Sequence, residues 1–234
     1  MTHSVERTFA FVDLSGFTAL TEAHGDEEAV AMLTRFREIT QQALGPTDVL
    51  VKTIGDAVML AFSDPGLAVS ALRRLFDDAL ADPSMLLIRA GAHTGSAIAD
   101  GSDYLGGAVN LAARVAAYAG GGQLLVTEPV ANAATEIGEV ITHVGAIPLR
   151  NIAEPVVLYE IDLNPGLSNA VDPVCAMKVP TTGPLAVHLM HNDHELWFCG
   201  LPCLARYAAD PDTFTPLTHT GTGTATPPST TRAG

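Results

Sequence analysis

Lysine is almost missing from this chain. Of 234 residues only Lys52 and Lys178 are lysines, and twelve basic residues face twenty-six acidic ones, for a net charge of −14. Non-specific binding to nucleic acid or to an anionic membrane needs an excess of Lys and Arg, so both partners are expected to be absent. Long apolar runs are missing too, since none approaches the roughly 18–20 residues of a membrane span. Residues 1–9 (MTHSVERTF) lack the apolar centre of a signal peptide. The chain therefore reads as a soluble, cytosolic protein. Cysteine is scarce and odd in number, three in all, which does not suggest a disulfide framework.

What is present is an ordinary globular composition, 47% apolar, enough for one domain of about 150 residues plus a small unit. TFAFVD (8–13) reads as a buried strand, and LSGFT turns into a helix. DEEAVAMLTRFREITQQALG has apolar residues at Val30, Leu33, Phe36 and Leu44 near the helical period. Asp26 is its expected N-cap and Gly45-Pro46 its end. VLVKTI and DAVMLAF read as a hairpin joined at Gly55-Asp56. Asp64-Pro65 opens another helix that ends near Asp82-Pro83. LLIRAGAHTGSAIAD is strand-like, GGAVNLAARVAAYAG helical, and QLLVT, EVITHVGAIPL and PVVLYEI are strands. Alternating strands and helices predict helices packed on a sheet. Residues 1–163 form the main domain, 164–171 a linker, 172–214 a second small unit, and 215–234 a disordered Thr/Gly/Pro tail.

Two aspartates stand at strand–turn junctions beside glycine: Asp13 in FVDLSGFT and Asp56 in VKTIGDAVMLAF. Alone, each reads as a cap. Together, two such carboxylates can bridge a pair of Mg²⁺ or Mn²⁺ ions, which take few oxygen ligands from protein and the rest from water and phosphate. Leu14, Ser15, Gly16, Phe17 and Thr18 lead into a helix whose first N–H groups can cradle phosphate. With lysine so rare, Lys52 is informative; with Asp103 it makes a pair able to read a base. Asn110 and Arg114 lie four apart on one helix face, and an arginine so placed can stabilise charge on a phosphoryl group.

These stretches resemble the catalytic domain of class III adenylyl/guanylyl cyclases. FVDLSGFT and KTIGDAVM match its two metal motifs, DYLGGAVNLAAR its base- and ribose-contacting segment, and RAGAHTG, with Arg89, the strand whose arginine contacts the triphosphate. The likeness covers about residues 5–163 and rests on four motifs in order. It implies a ferredoxin-like βαββαβ α+β fold with a mostly antiparallel sheet, and a homodimer with sites at its interface. It implies that Asp13 and Asp56 hold two metal ions and that Lys52 and Asp103 read adenine. Asn110 orients the ribose, Arg114 stabilises the transition state, and Arg150 is a further phosphate contact. The implied reaction converts ATP to 3′,5′-cyclic AMP and pyrophosphate. Asp103 would face an acceptor if the base were guanine, so hydrogen-bond sign favours ATP. The alternatives are guanylyl cyclase activity, or a silent nucleotide- or metal-binding regulator. A GGDEF-type diguanylate cyclase is set aside because Gly106-Gly107 is followed by Ala-Val-Asn. The segment between Gly95 and Asp103 is shorter than in many family members, which bears on dimer strength.

In the small unit, Cys175, Cys199 and Cys203 resemble the cysteines of a YHS (TRASH-like) module with a treble-clef-like fold. Such thiols suit Zn²⁺, Cu⁺ or iron, with Zn²⁺ or Cu⁺ the expected ion. His191 and His194 are the candidates for a fourth ligand.

Overall fold

The computed structural model describes residues 2–163, 169–175, 177–180 and 187–214. The main domain begins with β1 (His3–Leu14), followed by α1 (Phe17–His24) and α2 (Asp26–Ala43). A hairpin of β2 (Val49–Ile54) and β3 (Ala57–Phe62) leads through α3 (Pro65–Ala81) to β4 (Ile88–Asp100). These elements give a βαββαβ unit whose strands lie in the order β2-β3-β1-β4, each neighbouring pair antiparallel. β5 (Asp103–Leu105) folds back on β4 through a tight turn, with Asp100 opposite Asp103. α4 (Gly107–Tyr118), β6 (Leu124–Thr127), α5 (Glu128–Glu136) and the hairpin of β7 (Ile141–Ile147) and β8 (Val156–Ile161) complete the domain. β6 lies parallel to β4, and β8 and β7 extend the sheet beyond it. The expected α+β class with a mostly antiparallel sheet is the one observed. Among the described residues no helix is long and apolar enough to cross a membrane.

Strand alternation sorts the sheet into two unlike faces. Ala10, Val12 and Leu14 of β1, with Val58, Leu60 and Phe62 of β3, point into the main core under α1, α2, α3 and α5. Phe9, Met59 and Ala61 point the other way, onto Ala108, Val109 and Ala112 of α4. Where α4 crosses β1 and β3 it presents Ala108, Val109 and Ala112, and it sits very close to the sheet. A Cβ at Gly91 would lie 2.0 Å from the Ala116 nitrogen, which only glycine avoids. The odd positions of β1 and β4 that carry Asp13 and Arg89 therefore belong to the α4 face.

Helix starts follow local chemistry. The Asp64 carboxylate caps α3 by accepting from the N–H groups of Gly66 (2.8 Å) and Leu67 (3.1 Å), a cap worth about 1 kcal/mol. α2 departs from expectation in two details. Gly25, at φ 87°, takes the cap position, and Asp26 stands inside the first turn with Glu27 and Glu28, where acidic charge favours the helix dipole. Its core face is Ala29, Met32, Phe36, Ile39, Thr40 and Ala43, while Val30 is 61% exposed. α5 was not expected. It opens after Thr127 with Pro129 in its first turn and buries Val130, Ala131 and Ala134.

The small unit holds β9 (Asn169–Val171) paired with β10 (Lys178–Pro180), a hairpin of β11 (Val187–His191) and β12 (His194–Phe198), and α6 (Leu201–Ala209). The expected linker 164–171 is thus shorter than expected, because its last three residues form a strand. Residues 164–168 and the tail from 215 lie outside the described residues. The unit is seated on the main domain: Val171 and Met177 pack against the main core, and Met177 bridges to Leu86.

Candidate active site

Asp13 lies one residue before the end of β1. Antiparallel register sets Arg89 of β4 directly across from it. Arg89 donates from Nε (2.9 Å) and from its terminal nitrogen (2.5 Å) to the same Asp13 oxygen, Oδ2. The other oxygen, Oδ1, stays outside this grip. Asp56 occupies the β2–β3 turn beside Asp13. Burial, and next the Asp13 charge, push the Asp56 carboxyl above the usual carboxylate range. Two carboxylates crowded in this way want a cation between them. A hard divalent ion with oxygen ligands fits the pair, so Asp13 and Asp56 are the residues that would hold it.

The chain then turns into α1. Gly16 takes a left-handed φ of 86° and stands at the helix cap, and its carbonyl accepts from the Leu20 N–H at 3.0 Å. The Ser15 N–H is committed to the Leu87 carbonyl at 2.8 Å, and the Leu14 side chain lies in the main core. Of the five N–H groups expected to cradle phosphate, that of Ser15 is thus already taken, while Phe17 and Thr18 stand in the first helical turn beside Gly16, where N–H groups have no partner within the helix.

On the same face Lys52 meets Asp103. A bulge between Leu50 and Lys52 sets the lysine opposite Met59, and its Nζ donates to both Asp103 oxygens, at 2.8 and 2.6 Å. Asp103 also accepts from the Tyr104 N–H at 2.8 Å. The Lys52 hydrogen bond is the main cause holding the Asp103 carboxyl below its ordinary value. Both side chains are 38% exposed, so the pair is formed yet reachable. The Tyr104 ring, 5.3 Å from that of Phe9, ties the short β5 strand to the sheet.

α4 starts at Gly106 and presents Asn110 and Arg114 one turn apart. Asn110 is exposed and Arg114 half-buried. Among the described residues neither side chain makes a hydrogen bond or ion pair. Arg150 lies exposed in the turn after β7. The structure thus brings together Asp13, Asp56 and Arg89, and separately Lys52 and Asp103. Asn110, Arg114 and Arg150 are not joined to either group within the chain. Sequence reasoning overlooked His93 on β4, whose Nδ1 meets the Thr127 hydroxyl at 2.8 Å and whose burial lowers its pKa.

Residues 2–162 match the model of a family described as the adenylate and guanylate cyclase catalytic domain. The chain belongs to that family. An uncharacterized protein of Mycobacterium tuberculosis is 36% identical over 171 residues, 73% of this chain and 45% of that protein. A pH-sensitive adenylate cyclase of the same species is 33% identical over 158 residues, 66% of this chain and 40% of that enzyme. The cyclase chain thus spans under half the length of these curated relatives. Among solved structures, a Trypanosoma brucei adenylate cyclase in its monomeric state superposes with a TM-score of 0.60 at 26% identity, covering 69% of this chain and 89% of that one.

The three cysteines also converge. Cys199 Sγ lies 3.6 Å from Cys175 Sγ and 3.6 Å from Cys203 Sγ, and all three are free thiols. His191 and His194 are not with them. His191 Nδ1 bonds the Tyr207 hydroxyl at 2.7 Å, and His194 faces His191 across the hairpin. The imidazole beside the thiols is His24, from the end of α1. No local motif marks that histidine.

Proposed function

We propose that this cyclase domain is an adenylyl cyclase acting as a homodimer on ATP. The observation that carries the base choice is the preformed Lys52–Asp103 pair. The lysine donates to an adenine ring nitrogen and the carboxylate accepts from the exocyclic amino group. Guanine would set a carbonyl against the same carboxylate. Asn110 and Arg114, without side-chain partners among the described residues, serve a nucleotide whose phosphates lie on Asp13 and Asp56 of the second chain. Asn110 positions the ribose. Two Mg²⁺ or Mn²⁺ ions held by Asp13 and Asp56 would favour the 3′-alkoxide and offset charge on the departing pyrophosphate. The 3′-oxygen bonds to the α-phosphorus, the bond to the β-phosphate oxygen breaks, and pyrophosphate leaves with that electron pair. The 3′-hydroxyl proton passes to solvent. Arg114 stabilises the charge building on the α-phosphoryl group, and Arg89 turns from Asp13 toward the triphosphate. Arg150, exposed and without an ion pair among the described residues, is a further phosphate contact. The C-terminal unit is a YHS-like module.

The test is product identification by mass after incubation with ATP or GTP and Mn²⁺, before and after replacing Lys52→Glu and Asp103→Cys together. Cyclic AMP is expected from the parent protein. The double substitution is expected to lower its ATP/GTP ratio of kcat/KM by at least about tenfold. An unchanged ratio overturns the base-reading roles, and cyclic GMP as the parent's main product overturns the ATP assignment.

A further inference from the structure

His24 belongs to the cyclase domain and the three cysteines to the small unit, yet their ligand atoms converge. Cys175 Sγ, Cys199 Sγ, Cys203 Sγ and a His24 ring nitrogen all lie within 4.8 Å of one another. His24 Nε2 is 3.6 Å from Cys199 Sγ and 3.8 Å from Cys203 Sγ. A tetrahedral zinc with Zn–S near 2.3 Å requires ligand–ligand edges of about 3.8 Å, slightly shorter for nitrogen. The four separations at hand, 3.6, 3.6, 3.6 and 3.8 Å, fit that figure. They are far longer than a disulfide bond of about 2.05 Å.

The surroundings are built to hold the thiols there. Asp172 is fully buried, and its two oxygens reach both ligand-bearing loops. Oδ1 accepts from the N–H of Val174 (2.8 Å) and of Cys175 (3.3 Å), and Oδ2 from the N–H of Cys199 (2.8 Å). One buried carboxylate thereby fixes the Cys175 turn against the Cys199 turn, the role outer-shell groups play at metal centres. Cys203 follows on α6, one turn after Cys199. Ala23, next to His24, packs into the small unit's own core with Val174, Phe198 and Tyr207.

We propose that His24 completes a closed Cys₃His zinc site, and that the ion fastens the C-terminal unit to the end of α1. Three thiolates and one imidazole leave no open position, the pattern of structural rather than catalytic zinc. Binding releases the thiol protons. α1 has eight residues, about 12 Å of helix at 1.5 Å per residue, and its other end is the turn with Gly16, Phe17 and Thr18. Zinc occupancy thereby governs the order of the helix that opens at the phosphate loop. The metal site does not depend on the adenylyl cyclase reading; only the meaning of that loop does.

The experiment uses the full chain purified under reducing conditions. One zinc per chain is expected by elemental analysis. Exposed His24 can be changed without disturbing the core. His24→Ala is expected to weaken zinc binding by more than about a hundredfold, beyond the usual loss for an outer-shell partner, and His24→Cys to restore it. The Co²⁺-loaded protein should show thiolate-to-cobalt absorption in both parent and His24→Ala proteins, with an altered d–d envelope in the latter. Hydrogen exchange across residues 17–24 should rise equally on chelation and in His24→Ala. Three results overturn the proposal: no stoichiometric metal in the parent, equal zinc affinity in parent and His24→Ala, or identical Co²⁺ spectra. Since none of these readouts is cyclase activity, an inactive but zinc-loaded protein would count against the adenylyl cyclase reading alone.

Discussion

The two clusters of chemistry-bearing residues differ in kind. The Asp13–Asp56 pair is made of hard oxygens, lies at the open end of a sheet, and has its complementary cation Arg114 and amide Asn110 elsewhere, on α4. The thiol cluster is soft, has all four ligand atoms within one chain, and is half enclosed, with Cys175 and Cys203 buried and Cys199 and His24 exposed. An open set of hard ligands suits ions that arrive with a substrate and leave with a product. A closed set of soft ligands suits an ion that stays. On the readings proposed above, one fold carries a working site on the α4 face and a fastening at the far end of the short helix α1.

The sharpest way to separate the two is to disable one and watch the other. Asp13→Ala or Asp56→Ala is expected to lower turnover by at least roughly a hundredfold, the scale of losing one electrostatic stabiliser. Zinc content should stay unchanged. Near-parental turnover in either variant would remove the pair from the reaction.

Sharing between chains is the next difference to test. Asp13→Ala and Arg114→Ala proteins should each be nearly inactive. Mixed in equal amounts they should recover about a quarter of parental activity, because half the dimers are mixed and each of these has one intact site of two. Recovery should follow the mixed dimer measured directly. Mixed dimers without activity would reject a site built from two chains. No such complementation is expected between His24→Ala and Cys199→Ser for zinc, whose ligands come from one chain.

A smaller effect concerns His93. Burial lowers its folded-state pKa below the ordinary value of 6.5. The unfolded chain therefore takes up a proton near that value while the folded chain does not. Stability should fall as pH drops through 6.5 toward the folded pKa, with a slope of at most about 1.4 kcal/mol per pH unit. His93→Gln should flatten that slope in urea titrations at stepped pH; an unchanged slope would assign the titration to another group.

How much of this was legible in the sequence depended on distance along the chain. Asp13, Asp56, Lys52 and Asp103 each sit in a short motif whose glycine, turn or strand is itself local, so their positions at strand ends and turns could be read there. The pairing of Lys52 with Asp103 and the sheet order followed from the family pattern. The α2 core face was misread because large apolar residues drew attention to Val30, while small Ala29 and Ala43 fill the tight side. α5 was missed because its alanines and Pro129 give a weak periodic signal over nine residues. His24 was invisible for a different reason: nothing near it announces a ligand, and only the seating of the small unit on α1 brings it to the thiols. The Ser15 N–H, read as a phosphate donor, is used by a neighbouring strand end that no local pattern reveals.

The grip of Arg89 on Asp13 has a consequence for how the site fills. A cation entering beside Asp13 does not meet a bare carboxylate; it displaces or shares with a guanidinium already in place. Where the cation displaces the guanidinium, filling is an exchange rather than an addition, and it leaves an arginine seeking a new anion. Under the proposed function, the triphosphate would supply one. Nucleotide and metal would then favour each other's entry to the same degree, as linkage requires. On that reading, either one alone would gain little.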